Sequence, residues 1–417
     1  MIIPEAGITF TDKPGHSLRK LAIVALVAVT ALAAYRFVAE ARTYWPRKGT
    51  DFGVYYRASM ALNARQTPYD LEGLYKDPYG PFYKYPPLFA IALIPLARLG
   101  LMQAWHIWLV ISLVLYLVAF LLLAHAESLA PRNPYFWLLA TAFLLFQPSL
   151  DTLYGGQLEF VLLLLFILSY ISLQQGPAGP PITGIGIALG TLLKLYPILI
   201  VPWLLLKRFK AAVWVVVGLL GLTLLSTALA GWQLQVEYLM KVLPSPNMGT
   251  AWLENQAYFG FFARLWVNGA ISAEPHGTYL QGAVWLSRGM AILTYLLSLA
   301  VLLRTEHPRH GFTVLLPCML LVLPAAWIHY EMILLLPIGI FLGALAHGFR
   351  RIPWPLLLLA FLLLAFGNEH LVLHVKSGLI QSYKFYGVFL MWLLGMIWAW
   401  RDQHAAPKLP LQAAAST

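Results

Sequence analysis

A chain of 417 residues in which 60% are hydrophobic and only 11% charged carries too much apolar surface for a single water-soluble core, so it reads as an integral membrane protein. The formal charge of +11 sits on cations scattered between the apolar runs, where lipid phosphates are nearer partners than nucleic acid. The one cysteine, Cys318, lies inside an apolar run and excludes an internal disulfide, a CxxC redox pair and a thiolate metal cluster.

Apolar runs of helical character fall near residues 21–41, 103–124, 135–147, 158–172, 182–193, 195–206, 211–230, 282–303, 312–327, 332–346, 353–366 and 385–400. The expected fold is an all-α membrane bundle of about twelve transmembrane helices, several of them shorter than the ~20 residues that cross a bilayer comfortably. Arg19 and Lys20 precede the first run as in a signal sequence, but no small-residue cleavage site follows, so it reads as a retained helix. Lys207-Arg208-Phe209-Lys210, Arg304 with Arg309, and Arg350-Arg351 mark short basic turns expected to face the cytoplasm. That orientation puts both termini inside and the 42–85 and 231–281 loops outside. One membrane domain over 1–417 is expected, with 401–417 a short cytoplasmic tail rich in Ala and Pro.

The first outer loop opens with Thr50-Asp51-Phe52-Gly53-Val54-Tyr55-Tyr56-Arg57-Ala58. Thr50 or Asp51 suits the cap of an interfacial helix reaching about Arg65, with Val54, Tyr55, Ala58 and Leu62 on its apolar side. Asp51 also stands at the expected membrane–water boundary, where a lone carboxylate can draw a proton from a hydroxyl. Capping is the commoner role for such a residue, and position favours the second. Tyr85-Pro86-Pro87-Leu88 begins a short apolar stretch, interrupted by Pro95, that reads as a helix lying at the outer interface.

Runs 182–193 and 195–206 join at Lys194-Leu195-Tyr196-Pro197, a broken pair near the outer face. Irregular backbone at that depth is tolerable where it lines a cavity. Gly155-Gly156-Gln157, Asn255-Gln256 and Trp327-Ile328-His329 also fall at outer helix ends. Each has an ordinary explanation: a tight turn, loop hydrogen bonding, an interfacial cap, and for Lys194 snorkelling. Their shared side argues for one mouth. Arg57, Arg65, Lys76, Lys84, Lys241 and Arg264 lie in the outer segments too, which suits an anionic ligand on that face.

The order Asp51-Phe52-x-Val54-Tyr55-Tyr56-x-Ala58, Tyr85-Pro86-Pro87-Leu88, Gly156-Gln157, Lys194-x-x-Pro197, Asn255-Gln256 and Trp327-x-His329 resembles the polyprenyl-phosphate-mannose-dependent mannosyltransferases of glycosyltransferase family 87, the PimE-like kind. No element is specific alone; order and spacing carry the likeness from Asp51 to about Pro337. The resemblance implies a GT-C membrane fold with an outward reaction chamber. In it Asp51 would be the general base and His329 would bind the donor phosphate. Lys194 and Arg57 are further candidate donor-phosphate ligands, and Tyr55, Tyr85, Gln157, Asn255, Gln256 and Trp327 are candidate substrate contacts. The chain departs from the family pattern at Gly155, where Asn often precedes Gly-Gln, at Ala257, where Ser is common, and at Ile328, where an acid often precedes the His.

The chemistry follows without the name. A sugar on a polyprenyl phosphate already has a good leaving group, so a protein supplies a base for the acceptor hydroxyl and cations for the departing charge. A double displacement needs a second close carboxylate, and none shares the Asp51 motif, so single displacement with inversion is expected. Asp70, Asp151, Glu159, Glu254 and Glu331 are not separated by sequence as possible seconds. With no HExxH, DxD or His/Cys cluster and a monophosphate leaving group, no cofactor and no metal are expected.

The expected reaction moves mannose from a polyprenyl-phosphate carrier to a lipid-linked or envelope glycan acceptor on the outer face of a prokaryotic cytoplasmic membrane. Membrane lipids are partners and nucleic acid is not. A polyprenyl-phosphate-pentose (arabinosyl) transferase is one alternative. A lipid-linked sugar flippase or transporter is another, disfavoured because no repeated halves occur.

Overall fold

Helix length and irregular backbone shape this fold together. The computed structural model describes residues 14–47, 49–69, 83–176, 178–244, 249–267, 281–349, 352–365, 367, 372 and 374–403, and among these there is no strand. Asp70, Lys76 and the tail beyond 403 lie outside the described residues. In chain order the first helices are α1 (Pro14–Arg42), α2 (Thr50–Asn63), α3 (Pro87–Ala92), α4 (Leu101–Ala126), α5 (Pro134–Leu145), α6 (Gln147–Gly155), α7 (Glu159–Ser172) and α8 (Gly179–Leu193). They are followed by α9 (Phe209–Ala230), α10 (Tyr258–Trp266), α11 (Gln281–Leu302), α12 (Pro308–Val322), α13 (Leu335–Ala346), α14 (Trp354–Ala365) and α15 (Tyr383–Gln403). Shorter helical turns connect them, including 3-10 segments at Tyr196–Ile200 and Ile328–Leu334.

All twelve apolar runs are helical, yet five helices have the length and composition of a membrane span: α1 from Arg19, α4, α9, α11 and the continuous stretch Ile328–Ala346. A sixth is reached if α5 and α6, bent by 43°, count as one. The expectation of twelve spans is therefore not reached on length. The shorter apolar helices include α7, α8, α12 and α14, and two of them end in irregular backbone: α7 begins just after Gly156-Gln157 and α8 stops at Lys194.

The spans divide by burial. Only 17% of the α11 window and 22% of the α9 window are buried, against 83% for Ile328–Ala346. Exposed Leu32, Leu224 and Ile292 turn outward, and a bare apolar helix face of this kind is what lipid solvates. The Ile328–Ala346 span is the centre around which the others stand. Small residues bring neighbours close: a Cβ on Gly218 of α9 would lie 2.7 Å from the Ala188 Cβ of α8, an approach that gives helices packing contacts lipid cannot supply.

At the α5–α6 bend, Pro148 lacks the N–H that would continue the ladder. The Tyr116 hydroxyl donates to the Phe143 carbonyl at 2.5 Å and the Ser149 hydroxyl to the Phe146 carbonyl at 2.5 Å. The bend thereby leaves both carbonyls satisfied inside the bundle.

Polar contacts collect at two ends. At one, Arg19 donates to the Arg132 carbonyl, the His347 ring meets the Glu127 carbonyl, Lys207 and Arg208 engage Glu306, and His310 pairs with Asp402. The basic turns at 207–210 and 304–309 share this end, while Arg350-Arg351 lies outside the described residues. Asp51, Gln157, Lys194 and His329 occupy the other.

A leucine at position 218 forces α8 and α9 apart. Gly218→Leu is expected to cost about 1–3 kcal/mol, read as a lower Tm of the detergent-solubilised protein. An unchanged Tm contradicts the close contact.

Candidate active site

The acid that opens the site is held by glycines. Gly49, not Thr50 or Asp51, occupies the N-cap position of α2, and no side chain caps the helix. The expected cap is thus corrected: Asp51 lies inside the first turn, where the positive end of the helix dipole favours a carboxylate. Opposite it, α6 ends at Gly155 and Gly156. Gly156 has φ +70° and closes the helix as a left-handed cap, a conformation a side chain resists. A Cβ on Gly155 would stand 2.9 Å from the Asp51 Oδ2. The bare glycine therefore leaves the carboxylate its place.

A relay of hydrogen bonds reaches Asp51 from the aromatic side. The Tyr55 hydroxyl donates to the Gln157 Oε1 at 2.8 Å and stands 3.2 Å from the Tyr85 hydroxyl. Because the Tyr55 proton is given to Gln157, Tyr85 is the donor in that second contact. The Gln157 side chain in turn bonds the Asp51 carboxylate, as does the Thr50 hydroxyl at 3.3 Å. Burial lifts the Asp51 carboxyl above its ordinary range, opposed first by the charge of Lys194 and then by the Thr50 and Gln157 hydrogen bonds.

Across the mouth stands a buried ion pair. Glu159 is the first residue of α7, and Lys194 follows the last residue of α8 with extended backbone, φ −148° and ψ 129°. A carboxylate at a helix N-terminus and an ammonium at a C-terminus both meet favourable dipole ends, and the two side chains bond one another with almost no exposure. The Lys194 Nζ also lies 3.8 Å from the centre of the Tyr330 ring, a cation–π contact. The His329 Nε2 stands 3.8 Å from the same Glu159 Oε1. Tyr196 packs on Tyr330 at 5.6 Å and completes the wall.

Tyr85 and its neighbours fix the rim. The Tyr69 hydroxyl donates to the Tyr85 carbonyl at 2.7 Å, and the Tyr83 hydroxyl accepts the Ala90 N–H and donates to the Pro86 carbonyl, bridging the first turn of α3. Pro86 takes the N-cap position of α3 and Pro87 its first turn, where a missing N–H costs nothing.

The structure joins Asp51, Tyr55, Tyr85, Gln157, Lys194 and His329 in one cluster. It does not bring Asn255 and Gln256 there. Arg57 is exposed on α2, six residues and so about 240° round the helix from Asp51. The Asn255 amide donates to the Thr250 and Pro324 carbonyls and its oxygen accepts from Ala257 and Ala326. Gln256 bonds the Leu253 carbonyl and accepts the Phe385 N–H at 2.8 Å. Both amides are committed to main chain, so the expectation of direct substrate contact is corrected to one of holding the 249–257 loop against the 324–327 segment and α15. Trp327 is half-buried and precedes the 3-10 turn, its carbonyl taking the Tyr330 N–H.

Glu159 entered the sequence reading only as one of five possible second carboxylates, and Tyr196 and Tyr330 were not singled out for the site. Glu159 had a signal: an acid two residues after Gly156-Gln157 and at the head of an apolar run demands a partner inside a membrane bundle. The tyrosines had none, being two among 21. Among the described residues no three His, Cys, Asp or Glu side chains are grouped to hold a metal ion.

Carboxylate, ammonium and imidazole around one mouth form a set able to take a proton and offset a departing negative charge. If Asp51 acts ionised, turnover is full above its raised pKa and is lost as pH falls through it. Gln157→Leu removes a donor to the carboxylate and is expected to move the acid limb of kcat/KM upward by about 1 pH unit. A limb that stays in place or moves down separates Gln157 from the titrating group.

A family model described as Glycosyltransferase family 87 matches residues 82–326. The matched stretch holds Tyr85, Gln157, Glu159 and Lys194, while Asp51 precedes it and His329 follows its end. No curated protein matches the chain. With more than half of its length covered, the chain belongs to glycosyltransferase family 87 and is a membrane glycosyltransferase.

Proposed function

We propose that this glycosyltransferase moves mannose from a polyprenyl-phosphate carrier to a lipid-linked or envelope glycan acceptor, by single displacement, at the outer face of a prokaryotic cytoplasmic membrane. The observation that carries the reading is the half-buried Asp51 carboxylate facing, through Gln157, a buried Lys194–Glu159–His329 cluster. In the proposed step Asp51 takes the acceptor hydroxyl proton as the oxygen bonds to the sugar C1. The C1–O bond to phosphate breaks, and its electron pair leaves on the polyprenyl phosphate.

The Lys194 ammonium has three N–H donors, and its bond to Glu159 leaves others for a phosphate oxygen. His329 stands beside it and serves the same phosphate. Glu159 cancels part of the Lys194 charge, which keeps the pair tolerable in a low-dielectric bundle before the donor arrives. The extracytoplasmic sidedness draws on the basic turns at 207–210 and 304–309, which lie at the end opposite Asp51. A GT-C arrangement of about twelve crossings draws on the twelve helical apolar segments, the shorter ones being buried against neighbours rather than spanning alone.

Metal independence rests on the leaving group. A monophosphate met by lysine and histidine has less need of a divalent ion than a pyrophosphate, so transfer in EDTA is expected to match transfer in magnesium. An EDTA-sensitive enzyme restored by one metal contradicts this.

Asp51→Asn keeps the shape and removes the base, and general-base removal costs about 100- to 10,000-fold in rate. Purified variant incubated with polyprenyl-phosphate mannose and membrane acceptors is expected to retain its Tm and lose transfer; retained turnover removes Asp51 from the mechanism. His329→Ala is expected to act on donor KM more than on kcat. A panel of carrier-linked sugars, mannose and arabinose included, identifies the donor, and movement of a carrier-linked sugar across proteoliposomes without transfer favours a flippase instead.

A further inference from the structure

The central span has an orientation problem. Between Leu335 and Ala344 nearly every residue of α13 is buried, and a helix apolar all round has no hydrophobic face to set its rotation about its own axis. Polar anchors set it instead, as single buried polar groups fix register in helical bundles. His329, two 3-10 turns outward from α13, meets Glu159 only at one rotation.

Two anchors grip the 3-10 segment Ile328–Leu334, and they pull from different sides. In such a segment successive side chains point about 120° apart. His329 and Tyr330 face the Glu159–Lys194 pair. Glu331 faces the other way, to Lys384 at the start of α15, with Oε2 and Nζ 3.7 Å apart and both side chains at most 1% exposed. Lys384 is itself held by the Leu364 carbonyl at 2.7 Å, in the last turn of α14 where a cation meets the negative end of the helix. The start of α15 is pinned in turn by Gln256, which accepts the Phe385 N–H, and by the Arg264 guanidinium, which donates to the Ser382 hydroxyl.

We propose that Glu331 and Lys384 are positioning residues for donor binding: their buried pair locks the rotation of the central span so that the His329 imidazole faces Glu159 and Lys194. A pair of apolar side chains fills such a site at least as stably as a desolvated ion pair. The charges therefore serve direction, because slipping the segment by one residue breaks the Glu331–Lys384 contact and turns His329 away from Glu159. The proposal rests on the reading of His329 as a donor-phosphate ligand.

The test is a cycle on the full-length protein in detergent, with polyprenyl-phosphate mannose as donor. Glu331→Leu combined with Lys384→Met removes both charges. This double variant is expected to keep the wild-type Tm, keep acceptor KM, and raise donor KM with a loss on the order of 100-fold in kcat/KM. Adding His329→Ala to it is expected to lose nothing more, because the imidazole is already misdirected. A double variant with wild-type donor KM assigns the pair to folding alone and overturns the proposal. Losses that multiply with His329→Ala overturn it too, since the pair then acts elsewhere. A fall in Tm that accompanies the kinetic loss, with Lys384→Arg failing to restore donor KM, counts against it in the same way. If His329→Ala alone leaves donor KM unchanged, the reading of His329 fails first and takes this proposal with it.

Discussion

The Lys194–Glu159 ion pair is the contact on which the site depends. Two helix ends meet there, the start of α7 and the end of α8, each presenting the dipole sign that its charge prefers. Removing one partner of a buried pair costs about 3–5 kcal/mol, because the other is left charged in a medium that cannot solvate it. The pair also gathers its surroundings: Tyr330 offers its ring face to the ammonium, His329 approaches the carboxylate, and Asp51 feels the lysine across the mouth.

Irregular backbone is the means by which this bundle becomes a site. The left-handed Gly156, the extended Lys194 and the 3-10 turn at His329 each interrupt an apolar helix at the same end of the molecule. Backbone of this kind survives at depth only with its polar groups satisfied. Here the Trp108 indole donates to the Gly156 carbonyl, the Lys194 N–H reaches the Gly190 carbonyl and the Tyr330 N–H reaches that of Trp327. The interruptions shorten the helices, and that is why apolar runs outnumber helices of spanning length.

What was legible in the sequence followed local rules. The break at Lys194-Leu195-Tyr196-Pro197, the turn at Gly155-Gly156 and the short helix after Asp51 announce themselves through proline, glycine and charge at the ends of apolar runs. The partnership of Glu159 with Lys194 spans 35 residues and that of Glu331 with Lys384 spans 53, so no local pattern carries either. Arg57, a cation near Asp51 in sequence, is set about 240° round the helix from it and is exposed. Asn255 and Gln256 show a different limit. An amide that staples a loop and an amide that grips a sugar use the same atoms, and only the identity of the partner tells them apart.

If Glu159 is held by Lys194 and His329, Asp51 works as a lone base and no carboxylate is left to attack the sugar. The anomeric configuration of the product decides this. Product formed from a polyprenyl-phosphate sugar of known configuration, examined by NMR, is expected to be inverted at C1; retention would mean that a second carboxylate forms a covalent intermediate, and the division of labour described for Asp51 and Glu159 would be wrong.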